Sequence, residues 1–182
     1  MQSHNKKQIL LQAAAAFNEL TNCSTAVENE LFFYKPGGKW SVAENIQHLI
    51  LSTGTTNLAF RVPSFLLRLI AGKPNRPFRT YDELLIKYNQ KIEAGGSASA
   101  RYIPKPLKAG NVKPLLIKKW QLVTDSFLAL VDKNTTEYKL DHYIIPHPLL
   151  GKITLRELCY FTIFHTLHHI KTINTIIQQK NL

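Results

Sequence analysis

The chain has 182 residues, a length that suits one domain with a sizeable hydrophobic core. Apolar residues make up 45% of the sequence and charged residues 19%, proportions that exclude an intrinsically disordered chain. No apolar run approaches the roughly 18 residues that a membrane-spanning helix needs. We therefore expect a single domain over residues 1–182 with no membrane span.

The formal net charge of +11 favours anionic partners, among them nucleic acid, anionic membrane and acidic small molecules. The lysines and arginines are spread along the chain, with a modest concentration between Arg101 and Lys119. They are not interleaved with aromatic residues as in RNA-binding proteins, and no DNA-reading module accompanies them. A generally solvated basic surface is therefore favoured over a nucleic-acid site, and we expect a small-molecule substrate.

The first helical pattern, from Lys6 to Asn29, begins with residues that superficially resemble a secretory signal. Its apolar residues nevertheless recur at helical spacing: Ile9, Leu10, Ala13, Phe17 and Leu20. No convincing small-residue cleavage site follows them. An ordinary helix is favoured over a signal peptide, which predicts a cytoplasmic protein. The two cysteines, Cys23 and Cys159, make no disulfide framework.

Capping boxes mark the starts of two further long helices. In the stretch from Ser41 to Glu44, the hydroxyl and the carboxylate can each satisfy a free backbone N–H of the first turn. The helix that follows has one apolar stripe, made of Ala43, Ile46, Leu49, Ile50 and Thr53. The stretch from Thr154 to Glu157 is the second box, and its helix continues to about Gln179.

Between these two helices lies another long helix and an irregular crossover. The helix follows Pro114, which needs no backbone donor in a first turn, and its apolar residues are Leu116, Trp120, Val123, Phe127 and Leu130. The crossover, from Arg61 to Val112, holds five prolines, a Gly- and Ser-rich stretch and two short helices near 64–71 and 82–93. A connection this long in a compact domain is usually functional or covers an opening. Strand signals are weak, so we predict an all-α four-helix bundle with one long crossover.

The last helix carries two histidines, His165 and His169, that are four residues apart and therefore lie on one helical face. Two imidazoles so placed can converge on one metal ion. His48 on the second helix can supply a third imidazole from across the bundle, which would leave coordination positions open. Spacing alone leaves open the simpler alternative that these are hydrogen-bonded core histidines. His168 is about 100° around the helix from His169, and we interpret it as an edge residue.

Two blocks of the sequence resemble the DinB-like family. The first is the stretch from Lys39 to Leu49, which contains Trp40, Ser41, Glu44 and His48. The second runs from His147 through Glu157 to His165 and His169. The blocks come in the family's order, and the helical pattern extends the resemblance over nearly the whole chain. Lys171 and Thr172 occupy a region where the family often has a glutamine, which leaves contacts around the ligands open.

The resemblance implies an up-down-down-up four-helix bundle in which His48, His165 and His169 bind one divalent metal ion. Characterised relatives include transferases that use a low-molecular-weight thiol, whereas many members have no established activity. The metal could be zinc, nickel, iron or copper, because three-histidine sites accept all of them.

Three functions remain open at this point. The first is a metal-dependent thiol S-transferase, the second a metal-dependent hydrolase, and the third a non-catalytic stress-response or binding protein with a structural or vestigial metal. No catalytic residue is assigned. Glu44 could orient a ligand or act as a base, although closing the capping box at Ser41 is the favoured role. The sequence also leaves open whether the chain forms a homodimer.

Overall fold

The computed structural model describes residues 4–107 and 111–180, and of Lys180 the backbone alone. The long helices are α1 (Lys6–Ala26), α3 (Val42–Arg61), α6 (Val112–Asn134) and α8 (Leu155–Lys180). The shorter ones are α2 (Asn29–Phe33), α4 (Ser64–Ala71), α5 (Tyr81–Glu93) and α7 (Glu137–His142), with 3₁₀ turns at Pro36–Gly38 and Ala100–Tyr102. The predicted all-α fold is confirmed, including both short helices of the crossover.

The four long helices form a bundle in which α1 and α3 each pack against α6 and α8. Helices α1 and α8 run in one direction, and α3 and α6 run in the other. Consecutive helices α1 and α3 therefore occupy opposite corners, as the up-down-down-up course requires. Contacts between the helices define these directions: His4 with Tyr160, Lys6 with Asp132, Asn134 with Phe60, and Asn45 with His169.

Helices α3 and α8, which carry the histidines singled out in the sequence, each begin with a side-chain cap. At the start of α3, Ser41 and Glu44 exchange the hydrogen bonds of a capping box, with Ser41 N to Glu44 Oε2 at 2.9 Å and Glu44 N to Ser41 Oγ at 3.2 Å. At the start of α8, Thr154 N donates to Glu157 Oε2 at 2.8 Å and Glu157 N to Thr154 Oγ1 at 3.1 Å. Both predicted capping boxes are confirmed.

Three sequence predictions need correction. The first helix ends at Ala26 and not at Asn29, because the chain turns at Val27 into the separate helix α2. Helix α6 begins at Val112, two residues earlier than predicted, although Pro114 lies in its first turn as expected. Two short strands, β1 (Ile144–His147) and β2 (Gly151–Thr154), form an antiparallel hairpin just before α8. Four-residue strands are too short to show a clear alternating pattern in the sequence.

The hydrophobic core lies between the four long helices, around fully buried side chains such as Trp120, Phe127 and Tyr160. In the part of the chain that the structure describes, no helix combines the length and the apolarity needed to cross a bilayer. The crossover between α3 and α6 packs against α3 and α8, where it borders a cavity.

Candidate metal centre

Helices α3 and α8 bring together the three histidines that the sequence singled out. His48 lies on α3, His165 and His169 lie one turn apart on α8, and all three are buried. The Nε2 atom of His165 is 3.1 Å from Nε2 of His48 and 3.2 Å from Nε2 of His169. Within the described residues these three form the one group of potential ligands that could hold a metal ion, with all ligand atoms within 4.8 Å of one another.

The opposite ring nitrogens of two of these histidines are held by oxygen acceptors. His48 Nδ1 donates to the backbone carbonyl of Tyr102 at 2.7 Å, and His169 Nδ1 donates to Asn45 Oδ1 at 2.6 Å. The orientation of the Asn45 amide follows from its own donors, since its Nδ2 faces the carbonyls of Trp40 and Ser41. When the proton of a neutral imidazole is on Nδ1, its Nε2 atom carries a lone pair and no proton.

The third histidine, His165, has Ser52 Oγ 3.5 Å from its Nδ1. Whichever nitrogen of His165 carries the proton, it can donate from Nε2 to only one of the two lone pairs opposite. At least one Nε2 lone pair therefore faces the cluster without a donor, which is costly at a buried position. A cation at the meeting point of the three nitrogens would satisfy all of them.

The spacing of the nitrogens fits a transition metal. Nitrogens about 2.0–2.1 Å from one ion lie roughly 2.8–3.4 Å apart for bond angles between octahedral and tetrahedral values. The two separations of 3.1 and 3.2 Å fall in that interval. The donor set fits as well, since imidazole suits zinc, copper, iron and nickel.

Burial keeps these imidazoles in the neutral form that metal binding needs. It lowers the pKa of His48, and it lowers the pKa of His165 and His169 well below the usual value for histidine. The neighbouring histidines lower the pKa of His165 and His169 further, because a charge on one ring opposes a charge on the next.

A cavity of about 380 Å³ opens beside the three histidines. Trp40 forms one wall, with its ring centroid 4.9 Å from that of His48 and stacked on His169. Other walls come from the hairpin, through Leu149, and from the crossover, through Tyr88 of α5 and the 96–99 segment. The crossover thus borders an opening, as its length predicts. Gly96 permits this course, because a Cβ there would lie 2.5 Å from the Lys91 carbonyl oxygen.

The other candidates from the sequence occupy different positions. Glu44 closes the capping box at Ser41 and forms an ion pair with Lys35 at 2.6 Å, so its carboxylate binds groups other than the histidines. His168 lines the cavity but is not among the three convergent rings. Of the basic residues concentrated between Arg101 and Lys119, Arg101 and Lys105 are exposed on the crossover and do not line the cavity, and Lys108 lies outside the described residues.

Sequence reasoning missed two groups that hold the histidines. Asn45 precedes His48 by three residues and therefore shares its side of α3, a signal that was present in the sequence. The carbonyl of Tyr102 comes from the crossover, 54 residues away, and no sequence signal places a main-chain oxygen against His48.

The fold and the site together define an all-α bundle with a buried three-histidine group beside an open cavity. The sequence profile of the DinB superfamily matches residues 9–173, and the chain belongs to that superfamily. No match was found among curated proteins.

Two solved structures share the fold. One is YfiT from Bacillus subtilis, described as a probable metal-dependent hydrolase with an unusual four-helix bundle topology. It is 18% identical with a TM-score of 0.61, and the match covers 100% of this chain and 92% of YfiT. The other is the colibactin self-resistance protein ClbS in complex with double-stranded DNA, 14% identical with a TM-score of 0.54 over 98% of this chain and 97% of ClbS.

Proposed function

We propose that His48, His165 and His169 bind one divalent metal ion and that the chain uses it to transfer a low-molecular-weight thiol to an electrophile. The observation that carries the proposal is the convergence of three Nε2 atoms that have at most one proton among them. A bound divalent ion would lower the pKa of a coordinating thiol or water, and so supply a nucleophile at neutral pH.

The chain's own residues would prepare the site for that chemistry. Asn45 and the Tyr102 carbonyl hold two of the rings with Nε2 facing inwards, which reduces the reorganisation needed on metal binding. Trp40, Phe161 and Tyr88 line the cavity with aromatic rings, which would leave a bound thiol in contact with less solvent.

A thiol that carries carboxylates would need to keep them outside this cavity. None of the described residues that line it is Lys or Arg. The guanidinium of Arg101 lies 5.8 Å from the centroid of the Tyr102 ring, and Tyr102 is a lining residue. Arg101 is therefore a cation at the rim that could pair with such a carboxylate.

Metal analysis and a thiol assay test the proposal. Protein purified without a nickel column should contain one equivalent of a divalent metal, and the double variant His48→Ala/His165→Ala should contain none. The metal-loaded protein should accelerate the reaction of a small thiol with monobromobimane. The proposal fails if the wild-type protein is metal-free with unchanged stability, or if no thiol reacts faster in its presence.

A hydrolase is the second candidate, because YfiT is described as a probable metal-dependent hydrolase. Against it, none of the described lining residues is a carboxylate that could act as a general base. Metal-dependent hydrolysis of p-nitrophenyl acetate without any thiol would favour this candidate. A non-catalytic role is the third. Tight DNA binding that weakens steeply with salt would favour it, given the net charge of +11 and the ClbS complex with DNA.

A further inference from the structure

His147, the last residue of β1, lies in the wall of the cavity and takes no part in the three-histidine group. Its ring packs against Phe161 with 4.3 Å between centroids, and Phe161 stacks on His165 with 4.7 Å between centroids. One aromatic ring thus separates His147 from the candidate metal centre, within reach of a substrate that fills the cavity.

The turn of the hairpin determines which nitrogen of His147 carries the proton. Its Nδ1 accepts hydrogen bonds from the backbone N–H groups of Leu149 and Leu150, both at 3.2 Å. A neutral imidazole that accepts at Nδ1 must be protonated at Nε2. Burial lowers the pKa of His147 to about 4, so the ring is neutral at physiological pH.

The resulting Nε2–H group is free to bind a ligand. In the described part of the chain it has no hydrogen-bond partner, although the ring lines the cavity. The cavity also has no charged side chain in its described walls, because none of the described lining residues is Asp, Glu, Lys or Arg. Apart from an ion held by the three histidines, these walls offer a charged ligand no counter-ion, whereas a neutral ligand with one acceptor would match them.

We propose that His147 determines substrate specificity: its Nε2–H binds a hydrogen-bond acceptor, such as a carbonyl oxygen, on a neutral and largely apolar molecule in the cavity. The identification of that molecule as the electrophile rests on the proposed function. The binding preference itself depends only on the cavity and on the protonation of His147.

Two substitutions separate the role of His147 in the turn from its role in binding. In His147→Asn the amide oxygen can take the place of Nδ1 and accept from Leu149 and Leu150, but no donor replaces Nε2. In His147→Gln the longer amide can return a donor near the Nε2 position while the acceptor in the turn is lost. His147→Asn should therefore fold and lose the preference for ligands with a hydrogen-bond acceptor, whereas His147→Gln should retain part of that preference.

Acetophenone and α-methylstyrene are suitable probes, because they have the same shape and differ by a carbonyl oxygen in place of a methylene group. Binding to the full chain is measured by NMR titration. The wild-type protein should prefer acetophenone by roughly 5- to 10-fold, and His147→Asn should bind the two probes within about 2-fold of each other. Spectra of ¹⁵N-labelled histidine side chains should show the proton of His147 on Nε2 and a change in that signal on addition of acetophenone.

The proposal is overturned if the wild-type protein does not bind acetophenone, if it binds both probes equally, or if the proton of His147 is on Nδ1. It is also overturned if His147→Asn keeps the preference. Because the titration needs neither a metal nor turnover, the proposed function can fail separately. A protein that prefers acetophenone but contains no metal and transfers no thiol would retain this inference and lose that function.

Discussion

Two polar clusters are buried along α8, one at its first turn and one near its middle, and they differ in how completely their groups are paired. At the first turn the carboxylate of Glu157 is fully buried and accepts from both Nη atoms of Arg76 at 2.9 Å, from Arg79 and from the Thr154 backbone. Near the middle, the Nε2 atoms of three histidines face one another with too few protons to bridge them.

The difference separates a cluster that stabilises the fold from one suited to binding. Burial of polar groups is costly unless partners replace the lost water. The Glu157 cluster supplies those partners from the chain, because Arg76 and Arg79 on the crossover reach the start of α8. The histidine cluster lacks an internal partner for its shared lone pairs, so that a cation from outside would complete it.

The largest expected effect is on stability at the Glu157 cluster. The change Glu157→Gln removes the negative charge between Arg76 and Arg79, and loss of one partner of a buried ion pair costs roughly 3–5 kcal/mol. Because both arginines are partly exposed, we expect about 3 kcal/mol, measured as the free energy of unfolding in urea. Metal content should be unaffected.

A matched control exists at the start of α5, where Thr80 and Glu83 form a capping box of the same geometry on the surface. The change Glu83→Gln keeps the box and should have a much smaller effect. Equal destabilisation by the two substitutions would show that capping, and not the buried ion pair, accounts for the effect at Glu157.

Loss of one convergent histidine should abolish metal binding. The change His165→Ala removes the central Nε2 of the group, and metal affinity should fall by more than the roughly 100-fold that loss of a supporting residue can cause. Metal content is measured on protein purified without a nickel column. The control is His168→Gln, which changes a cavity histidine outside the group. If both variants retain metal, the ligands are elsewhere.

Removal of the amide that orients His169 should weaken the site without abolishing it. The change Asn45→Ala leaves His169 Nδ1 without its acceptor, and we expect metal affinity to fall by roughly 10- to 100-fold. The matched control is Asn57→Ala, which removes another buried amide of α3, one that donates to the Val123 carbonyl. Similar affinity losses in the two variants would mean that general loosening of α3, not ring orientation, weakens the site.

The histidine cluster should make the stability of the metal-free protein depend on pH. In the folded, metal-free protein burial lowers the pKa of His48, His165 and His169, so that below about pH 6.5 the unfolded chain binds protons that the folded protein does not. The free energy of unfolding should therefore fall as pH decreases from about 6.5, by up to about 1.4 kcal/mol per pH unit for each histidine concerned.

Urea unfolding at several pH values between about 7.5 and 4.5 checks this prediction. His165→Gln should show a shallower fall than the wild-type protein, because one of the contributing groups is gone. Curves of the same slope for both proteins would contradict the assignment of the pH dependence to the histidine group.

The smallest effect is expected at Glu44. The change Glu44→Gln keeps the capping box at Ser41 and loses the ion pair with Lys35, whose side chain is 48% exposed and therefore screened by solvent. We expect a loss of at most about 1 kcal/mol and an unchanged metal content. A clear loss of metal would instead restore Glu44 as a residue that orients a ligand.

The sequence predicted most of the fold because the relevant signals are local. The capping boxes at Ser41 and Thr154 and the periodic apolar residues of α1, α3 and α6 act within a few turns of helix, and all are present in the structure. The hairpin before α8 could not be predicted in the same way. Its strands have four residues each, and their pairing depends on packing against α4 and α8.

For the candidate site, the sequence by itself determined that His165 and His169 share one face of a helix, since that follows from 3.6 residues per turn. Only the tertiary structure decided that three Nε2 atoms meet, because the antiparallel packing of α3 on α8 sets His48 against His165 across 117 residues. It also decided which oxygens hold the rings and that His147, a residue lining the cavity, accepts at Nδ1 from the backbone of the hairpin turn. These contacts join distant segments, and no local property of the chain encodes their geometry.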